Sequence, residues 1–228
     1  MEWDWSSVPT ATGRAADIVP FLDDLLGGDE ERRDHAFHRL FTEIVNQGDL
    51  SPAAAPATDR IMRTLRKRGT LPEYGWLMLF ELFRGASYGR TVCAPDGEHD
   101  IEVYCRRRIL AGLEVIERSV AGLAGKAFSS CMLLLGSMGA YIPEIRAILA
   151  AEVSRSSGER LQAASDALEV AVELAAEREQ VFEEVRAACA GRPIDDVRRA
   201  LAAGFEKAEL YVWNEVAEDA ARTISEGR

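Results

Sequence analysis

The chain is poor in cysteine, and the few cysteines it has lie far apart. The four are Cys93, Cys105, Cys131 and Cys189, and no two of them form a C-x-x-C pair. Zinc ribbons and dithiol redox centres need that close spacing, so the sequence argues against both. We therefore expect reduced thiols in the cytosol, with Cys131 acting as a small core residue.

Long apolar runs are also missing. No uninterrupted stretch of about 18 apolar residues occurs, so we expect no membrane-spanning helix. The acidic start, Met1 to Trp5, is followed by no apolar segment of the kind found in secretory signals. Motifs for a Ser-His-Asp triad, a phosphate-binding loop or a nucleotide site are absent as well. The sequence therefore predicts a cytoplasmic protein that has no catalytic residues and needs no cofactor.

Positive charge is scarce in this chain. Its 228 residues include 27 basic and 38 acidic side chains, which gives a formal net charge of −11. DNA and anionic membranes reward clustered Lys and Arg, so we expect this chain to bind neither of them. Lysines make up only a small part of the basic residues, and this Arg bias, with abundant Ala, suggests a GC-rich bacterial genome.

The most informative feature that is present is an apolar stripe that recurs along the chain. The first copy is Phe37, Leu40, Phe41 and Ile44, with the i, i+3, i+4, i+7 spacing of one helix face. Shifting these positions by 39 gives Trp76, Leu79, Phe80 and Phe83, and shifting the first three by 94 gives Cys131, Leu134 and Leu135. A period of about forty residues indicates stacked helical hairpins.

A second recurrence involves a proline. The set Ile18, Pro20, Leu22, Leu25 and Leu26 returns at an offset of 123 as Tyr141, Pro143, Ile145, Ile148 and Leu149. Proline is tolerated only in the first turn of a helix, so its position predicts a late start or a kink at that point. The recurrence therefore supports a repeated helical unit.

Caps, turns and apolar spacing predict where the helices begin and end. Asp29 and Asp100 are expected to cap helix N-termini, and Pro72 suits a first turn. The expected helices are 14–26, 30–47, 53–68, 72–86, 101–122, one after Gly125, one from Pro143, 158–190 and 193–225. Residues 88–100 are expected to form a long loop, because they have the composition of turns. No β-hairpin is predicted anywhere, because β-branched alternation is absent.

These elements predict an all-α fold with a single continuous core. We expect an α-solenoid of about four to five helix pairs, because each pair can bury its apolar face only against its neighbours. Residues 1–228 would form one domain, with an N-terminal cap over 1–13, helical repeats over 14–190 and a C-terminal helical cap over 191–228. Trp3, Trp5 and Val8 are the expected lid residues of the N-terminal cap, and Trp76 is an expected core residue.

Short stretches of the chain resemble bacterial HEAT-repeat proteins that are common in actinobacteria. They are the Val19–Leu22 core, the Asp-x-x-x-Arg helix start at Asp29, the Asn46-Gln-Gly turn and the Ala55-Pro-Ala segment. The resemblance covers about residues 14–174 and implies a solenoid of helical repeats. It indicates the fold more than the activity, because such repeats serve many roles. Asp59 and Glu114 replace the prolines of the second and third units, and residues past Ala175 match no part of the pattern.

Two groups of side chains resemble metal ligands. His35 and His38 can share one helix face, but no third ligand lies nearby. His99 lies among acidic residues, but the run lacks the ligand spacing of a Ca²⁺ loop. We expect a helix surface in the first case, a solvated turn in the second, and no metal site.

Two basic clusters lie on helices that occupy equivalent positions in their repeats. Arg60 and Arg63 belong to the first cluster, and Arg106 and Arg107 belong to the second. Their exposed sides would fall along one face, so these four arginines are candidate partner-binding residues. The alternative is a solvated surface, in which basic side chains near a helix C-terminus interact favourably with its macrodipole.

The C-terminal third of the chain is densely acidic. Glu206 and Glu209 are candidate contacts there, because closely spaced carboxylates can mimic phosphates and engage a basic partner. Trp213 is a candidate aromatic anchor beside them. The alternative is that the acidic residues only keep the surface soluble.

These features favour a non-enzymatic protein-binding scaffold of HEAT-repeat type. A narrower hypothesis is a toxin-neutralising, immunity-type protein whose partner is a basic toxin. The main alternative is a HEAT-like DNA glycosylase or another nucleic-acid-acting enzyme, which needs a basic concave face with Trp and Asp at the excision site. A third possibility, a chaperone or lyase-like scaffold for a small chromophore, lacks an identifiable nucleophilic cysteine.

Overall fold

The computed structural model describes residues 3–13, 15–208, 210 and 214–227. Over these ranges most residues are helical, and the strands are confined to two short antiparallel hairpins. This confirms the predicted all-α class. Among the described residues, no helix combines the length and the apolar character needed to cross a membrane.

The first half of the fold follows the predicted helix boundaries closely. A 3-10 turn over Ala15–Ile18 precedes α1 (Val19–Gly27), α2 (Glu30–Ile44), α3 (Ala54–Arg68) and α4 (Glu73–Arg84). Pro20 lies in the first turn of α1, which confirms the late helix start. Asp29 caps α2 as predicted, because its carboxylate accepts a hydrogen bond of 3.0 Å from the backbone N–H of Arg32.

Two β-hairpins occupy segments where none was predicted. Strands β1 (Val45–Asn46) and β2 (Asp49–Leu50) pair after α2, and β3 (Thr91–Ala94) pairs with β4 (Gly97–Asp100) before the next helix. The prediction of a long loop without a hairpin over 88–100 was therefore wrong. The two strands pair without β-branched alternation, because a tight turn follows Ala94. This turn places Gly97, which has a φ of 133°, directly opposite Ala94.

The second half of the fold contains more helices than predicted. They are α5 (Ile101–Leu110), α6 (Leu113–Val120), α7 (Gly125–Gly139), α8 (Pro143–Arg155), α9 (Gly158–Cys189), α10 (Ile194–Lys207) and α11 (Asn214–Ser225). The predicted 101–122 helix breaks near Gly112, which lies so close to α3 that a Cβ there would be 2.1 Å from Cε of Met62. The predicted 193–225 helix is likewise two helices, whereas the long helix over 158–190 is confirmed.

The helices lie in two rows. In one row α2, α4, α7 and α9 pack in this order, and the α4–α7 and α7–α9 interfaces are the most extensive in the described chain. In the other row α1 contacts α3, and α3 contacts α5. The pairs α1–α2 and α3–α4 pack across the rows, so each of these two hairpins contributes one helix to each row. Helix α8 packs against α7 and α9.

The recurrent apolar stripes lie between these helices. Leu40, Trp76 and Cys131 come from three different copies of the stripe, and all three are fully buried, which confirms Trp76 and Cys131 as core residues. Burying one large apolar side chain contributes about 1.5–3 kcal/mol. The main core extends from Trp3 to Ala171, and a second, smaller core is formed by the last part of α9 with α10 and α11.

The N-terminal segment, residues 3–13, is held against α2 and α3 by one buried and one half-buried carboxylate. Glu43 of α2 accepts hydrogen bonds from the hydroxyls of Thr10 at 2.7 Å and Thr12 at 2.6 Å. Asp59 of α3 accepts one from the indole of Trp3 at 2.9 Å. We call this segment the N-terminal strap.

Helix α9 is held against the main core by a buried ion pair. Glu152 of α8 is fully buried, and Nε of Arg160 on α9 donates to it at 2.6 Å. The same guanidinium donates to the carbonyls of Leu123 at 2.6 Å and Val120 at 2.9 Å, and it stacks on Phe128. These contacts fix where α9 lies beside α7.

Candidate functional site

Two of the predicted partner-binding arginines lie together. Arg60 and Arg63 on α3 line a small cleft with Trp3 and Trp5 of the strap. The guanidinium of Arg60 is also paired with Asp23 of α1. Arg63 is exposed on the surface of α3. The structure therefore brings these two residues to one site.

Arg106 does not lie on the surface where the sequence placed it, and this expectation was wrong. It is only 4% exposed. Its guanidinium donates to the carbonyls of Phe83 at 2.9 Å and Gly85 at 3.0 Å, and it lies 3.6 Å from the carboxylate of Glu102. Arg106 thus serves the unpaired carbonyls at the end of α4, and burial lowers its pKa.

The remaining predicted site residues are not brought together with these. Arg107 is exposed, but its neighbour Arg106 points inward, so α5 does not extend a basic face from α3. Glu206 is exposed on α10. Glu209 and Trp213 lie outside the described residues.

A polar network surrounds Asp59 on α3. Its Oδ2 accepts from the indole N–H of Trp3 at 2.9 Å and from the hydroxyl of Tyr104 at 2.8 Å. Its Oδ1 lies 3.3 Å from Nε of Arg108. Burial, and then the hydrogen bond to Asp59, raise the pKa of Tyr104 well above its usual range. The network holds the indole of Trp3 in one place.

His38 is exposed and His99 is half-buried, and each lies beside an acidic side chain. Nε2 of His38 is 3.7 Å from Asp34, and Nε2 of His99 is 3.0 Å from Asp96. In the part of the chain that the structure describes, no group of three or more His, Cys, Asp or Glu side chains could hold a metal ion.

A groove of about 460 Å³ runs along α7 and α9, and Phe80 of α4 lines it at one side. We call it the α7–α9 groove. Met132 and Gly136 of α7 and Ala167 of α9 are buried along its floor, and Leu133 of α7 and Val170 of α9 stand on its walls. The other lining residues are Ser129, Ser137, Glu159, Gln162, Ala163 and Asp166.

The groove exposes large apolar side chains to solvent. Leu133 is 49% exposed and Val170 is 43% exposed. Single exposed apolar residues are ordinary, but apolar residues grouped within one concavity are typical of a binding surface. The groove is therefore the strongest candidate for a functional site.

The groove has an acidic rim on the α9 side. Glu159 and Asp166 line it and are exposed, and Nε2 of Gln162 donates to Asp166 at 2.6 Å. On the α4 side, Arg84 lies 5.3 Å from the centre of the Phe80 ring. The lining therefore presents negative charge along α9, and Arg84 lies behind Phe80 without lining the groove.

The sequence interpretation did not identify this groove. A signal for it was present, because Leu133 stands beside the stripe residues Leu134 and Leu135 and extends the apolar surface of α7 beyond one face. Val170 does the same on α9. Apolar residues outside a predicted core face are the pattern that could have indicated it.

Comparison with known proteins adds no family to this picture. No protein-family model, no curated protein and no solved structure matches this chain.

Proposed function

We propose that this chain is a non-enzymatic scaffold that binds a protein partner through the α7–α9 groove. The observation that carries the proposal is the apolar groove of about 460 Å³ with an acidic rim along α9. The occupant we propose is an amphipathic helix of the partner, with apolar residues on one face and Lys or Arg beside them. The scaffold would act in the bacterial cytosol, where the thiols found free in the structure stay reduced.

The size and lining of the groove support a helix as the occupant. Grooves that receive an amphipathic helix contact its side chains at i, i+3, i+4 and i+7, and they are formed between helices. Here the lining contains Gly136, Ala163 and Ala167, and these small residues allow a close approach. Leu133 and Val170 would then pack on either side of the bound helix.

The charge of the rim supports a cationic helix. Glu159 and Asp166 line the groove, and Glu169 and Glu173 continue the exposed acidic surface along α9. The net charge of −11 adds a field of the same sign. Complementary charge of this kind accelerates association with a basic partner and disfavours acidic ones.

The arrangement of the helices supports a HEAT-type α-solenoid as the scaffold. In such a stack each helical pair contacts mainly its neighbours, and equivalent helices form continuous layers. The row α2, α4, α7 and α9 and the row α1, α3 and α5 have this order. The α7–α9 groove would then lie on the last pairs of the stack.

The narrower proposal is that the partner is a basic toxin and that this chain neutralises it. A basic, helix-containing toxin matches the acidic rim. Co-expression with a toxin encoded beside its gene would test this, and rescue of growth is the expected result. Failure to rescue growth would remove the toxin proposal and would leave the groove proposal to its own test.

The groove proposal is tested with a defined probe. A fluorescently labelled amphipathic Leu–Lys peptide is expected to bind the protein, as measured by anisotropy. Leu133→Asp and Val170→Asp should each weaken binding by about tenfold or more, because a carboxylate would be desolvated under an apolar face. Binding should weaken as salt is added, since the rim charges are exposed.

Val172→Asp is the matched control. Val172 also lies on α9 and is 51% exposed, but it does not line the groove. The Val172→Asp variant should bind the Leu–Lys peptide with the affinity of the wild type. A Leu–Glu peptide should bind every variant more weakly than the Leu–Lys peptide does. An equal loss of affinity for the Leu–Lys peptide in Leu133→Asp and Val172→Asp would contradict the proposal. So would the absence of any peptide binding by the wild-type protein.

A nucleic-acid-acting enzyme is the second candidate, favoured by the contact between Trp3 and Asp59. Against it, Arg60 is paired with Asp23, and Arg108 lies 3.3 Å from Asp59 and 3.5 Å from Asp96. Paired arginines release few counterions from a duplex. A gel shift at low salt separates the two candidates: retarded duplex DNA would favour the enzyme.

A further inference from the structure

A second concavity lies where the N-terminal strap crosses α3. It is a cleft of about 200 Å³ that is lined by Trp3, Trp5, Pro56, Arg60 and Arg63. It shares no lining residue with the α7–α9 groove. We call it the strap cleft. Two indoles and two guanidiniums therefore line one small concavity.

The aromatic walls of the strap cleft are held in place before any ligand arrives. The indole N–H of Trp3 donates to Asp59 at 2.9 Å, and its ring meets the ring of Tyr104 edge to face at 5.8 Å. Trp5 packs against the main core and is only partly exposed. Walls fixed in this way lose little conformational entropy when a ligand binds.

The charge of the strap cleft favours an anion. None of its described lining residues is acidic, and Arg60 and Arg63 supply two cations. Arg63 forms no hydrogen bond or ion pair with any residue that the structure describes. Arg60 is paired with Asp23, but a guanidinium has five N–H donors, so donors remain. Two adjacent guanidiniums would repel a cationic ligand from the indole faces.

The volume limits the ligand to a small molecule. Pockets for drug-sized ligands have volumes of about 300–1,000 Å³, and the strap cleft is smaller than these. A single ring with one charged group fits such a space better than a nucleotide does.

We propose that the strap cleft binds a small aromatic carboxylate. The ring would lie against the indoles of Trp3 and Trp5, where offset or edge contacts between aromatic rings are favourable. The carboxylate would accept a paired hydrogen bond from Arg63 and a further one from Arg60. Binding would join the N-terminal strap to α3 more tightly, because the ligand contacts both.

Phenylacetate is the probe for this proposal. Titration into the full chain should shift the indole N–H resonances of Trp3 and Trp5 in a saturable way, with a Kd on the order of 1 mM. The resonance of Trp76 should not move, because that residue is fully buried in the main core. Cyclohexylacetate and phenethylammonium should each bind more weakly, because the first lacks the aromatic ring and the second carries the opposite charge.

Arg63→Gln is the informative variant, and Arg66→Gln is its control. Both residues are exposed on α3, so neither change should disturb the fold. Only Arg63 lines the strap cleft. Arg63→Gln should raise the Kd for phenylacetate about tenfold. Arg66→Gln should leave it within about twofold of the wild-type value.

Several outcomes would overturn the proposal. The absence of saturable shifts at Trp3 and Trp5 would do so, as would equal affinity in Arg63→Gln and Arg66→Gln. Tighter binding of phenethylammonium than of phenylacetate would show that the strap cleft takes cations instead. None of these results bears on the α7–α9 groove, whose test uses other residues.

Discussion

At the scale of single residues, several arginines serve the carbonyl groups at helix ends. The last carbonyls of a helix have no donor within the helix. Arg106 supplies donors to the end of α4, Arg160 to the end of α6, and Arg178 to Ala140 after α7 at 2.6 Å. Arg68 donates to Leu26 at the end of α1 in the same way. Part of the arginine content of this chain is therefore structural.

Replacing Arg106 should destabilise the fold strongly. Arg106→Met would leave the carbonyls of Phe83 and Gly85 without this donor and the buried carboxylate of Glu102 without its cation. We expect a loss of about 3 kcal/mol in the free energy of unfolding, measured by urea denaturation.

The control for Arg106→Met is Arg118→Met. Arg118 and its partner Glu114 are both highly exposed on α6. Exposed pairs of this kind contribute about 0–1 kcal/mol, so the change should be small. Similar losses of unfolding free energy in Arg106→Met and Arg118→Met would contradict the structural role of Arg106.

The buried carboxylate of Glu152 should make stability depend on pH. Burial alone would raise its pKa, but hydrogen bonds from Arg160, Arg155 and Ser156 outweigh burial and lower the pKa below its ordinary value of 4.5. A lowered folded-state pKa gives stability that is present above the unfolded value and is lost as the pH falls through the folded value.

The pH effect is measured against Glu152→Gln, which cannot ionise. The difference in unfolding free energy between wild type and variant should be full at neutral pH and should shrink as the pH falls below 4.5. Urea denaturation over this range measures it. A difference that stays constant or grows on acidification would show that the ionised carboxylate is not the stabilising form.

At the scale of helices and strands, local signals predicted some features and missed others. The caps at Asp29 and Asp100 and the stripe residues Trp76 and Cys131 were predicted, because spacing and end chemistry are local properties. The inward position of Arg106 was not predictable, because the carbonyls that it serves belong to a helix end about twenty residues earlier.

The sites were less predictable than the elements for the same reason. Arg60 and Arg63 were proposed from sequence, but their aromatic neighbours come from the strap, far away in the chain. The α7–α9 groove depends on how two helices separated by α8 lie beside each other. Only tertiary packing brings such residues together.

The α7–α9 interface depends on glycine at the contact surface. A Cβ on Gly139 would lie 2.8 Å from Cβ of Ala171, so Gly139→Val should push the two helices apart. Overpacking of this kind costs about 1–3 kcal/mol, measured as a lower free energy of unfolding.

Gly122→Val is the control for Gly139→Val. Its nearest non-neighbour atom would be 3.8 Å from the added Cβ, an ordinary contact, so a much smaller loss is expected. If Gly122→Val were as costly as Gly139→Val, the close approach of α7 and α9 would not be the cause.

At the scale of the whole molecule, the described chain has two separate apolar cores joined by α9. Val181 and Leu201 belong to the C-terminal core, whereas Leu40 and Trp76 belong to the main core. Stability in such a molecule need not be uniform, because each core can open by itself.

Leu201→Ala should therefore loosen only one part of the molecule. Removing this buried side chain should cost about 2–5 kcal/mol within the C-terminal core. Hydrogen–deuterium exchange should become faster over residues 181–207 and 214–225 and should stay unchanged in α2 and α4. Equal acceleration throughout the chain would mean that the two cores unfold together.

The account as a whole rests on the α7–α9 groove as the partner-binding surface. Hydrogen–deuterium exchange of the intact protein with and without the Leu–Lys peptide tests this most directly, because it locates binding along the chain. The account predicts slower exchange over residues 129–137 and 159–170, with α1 and α2 unchanged. Protection at the strap or at α10 without protection at these residues would contradict it.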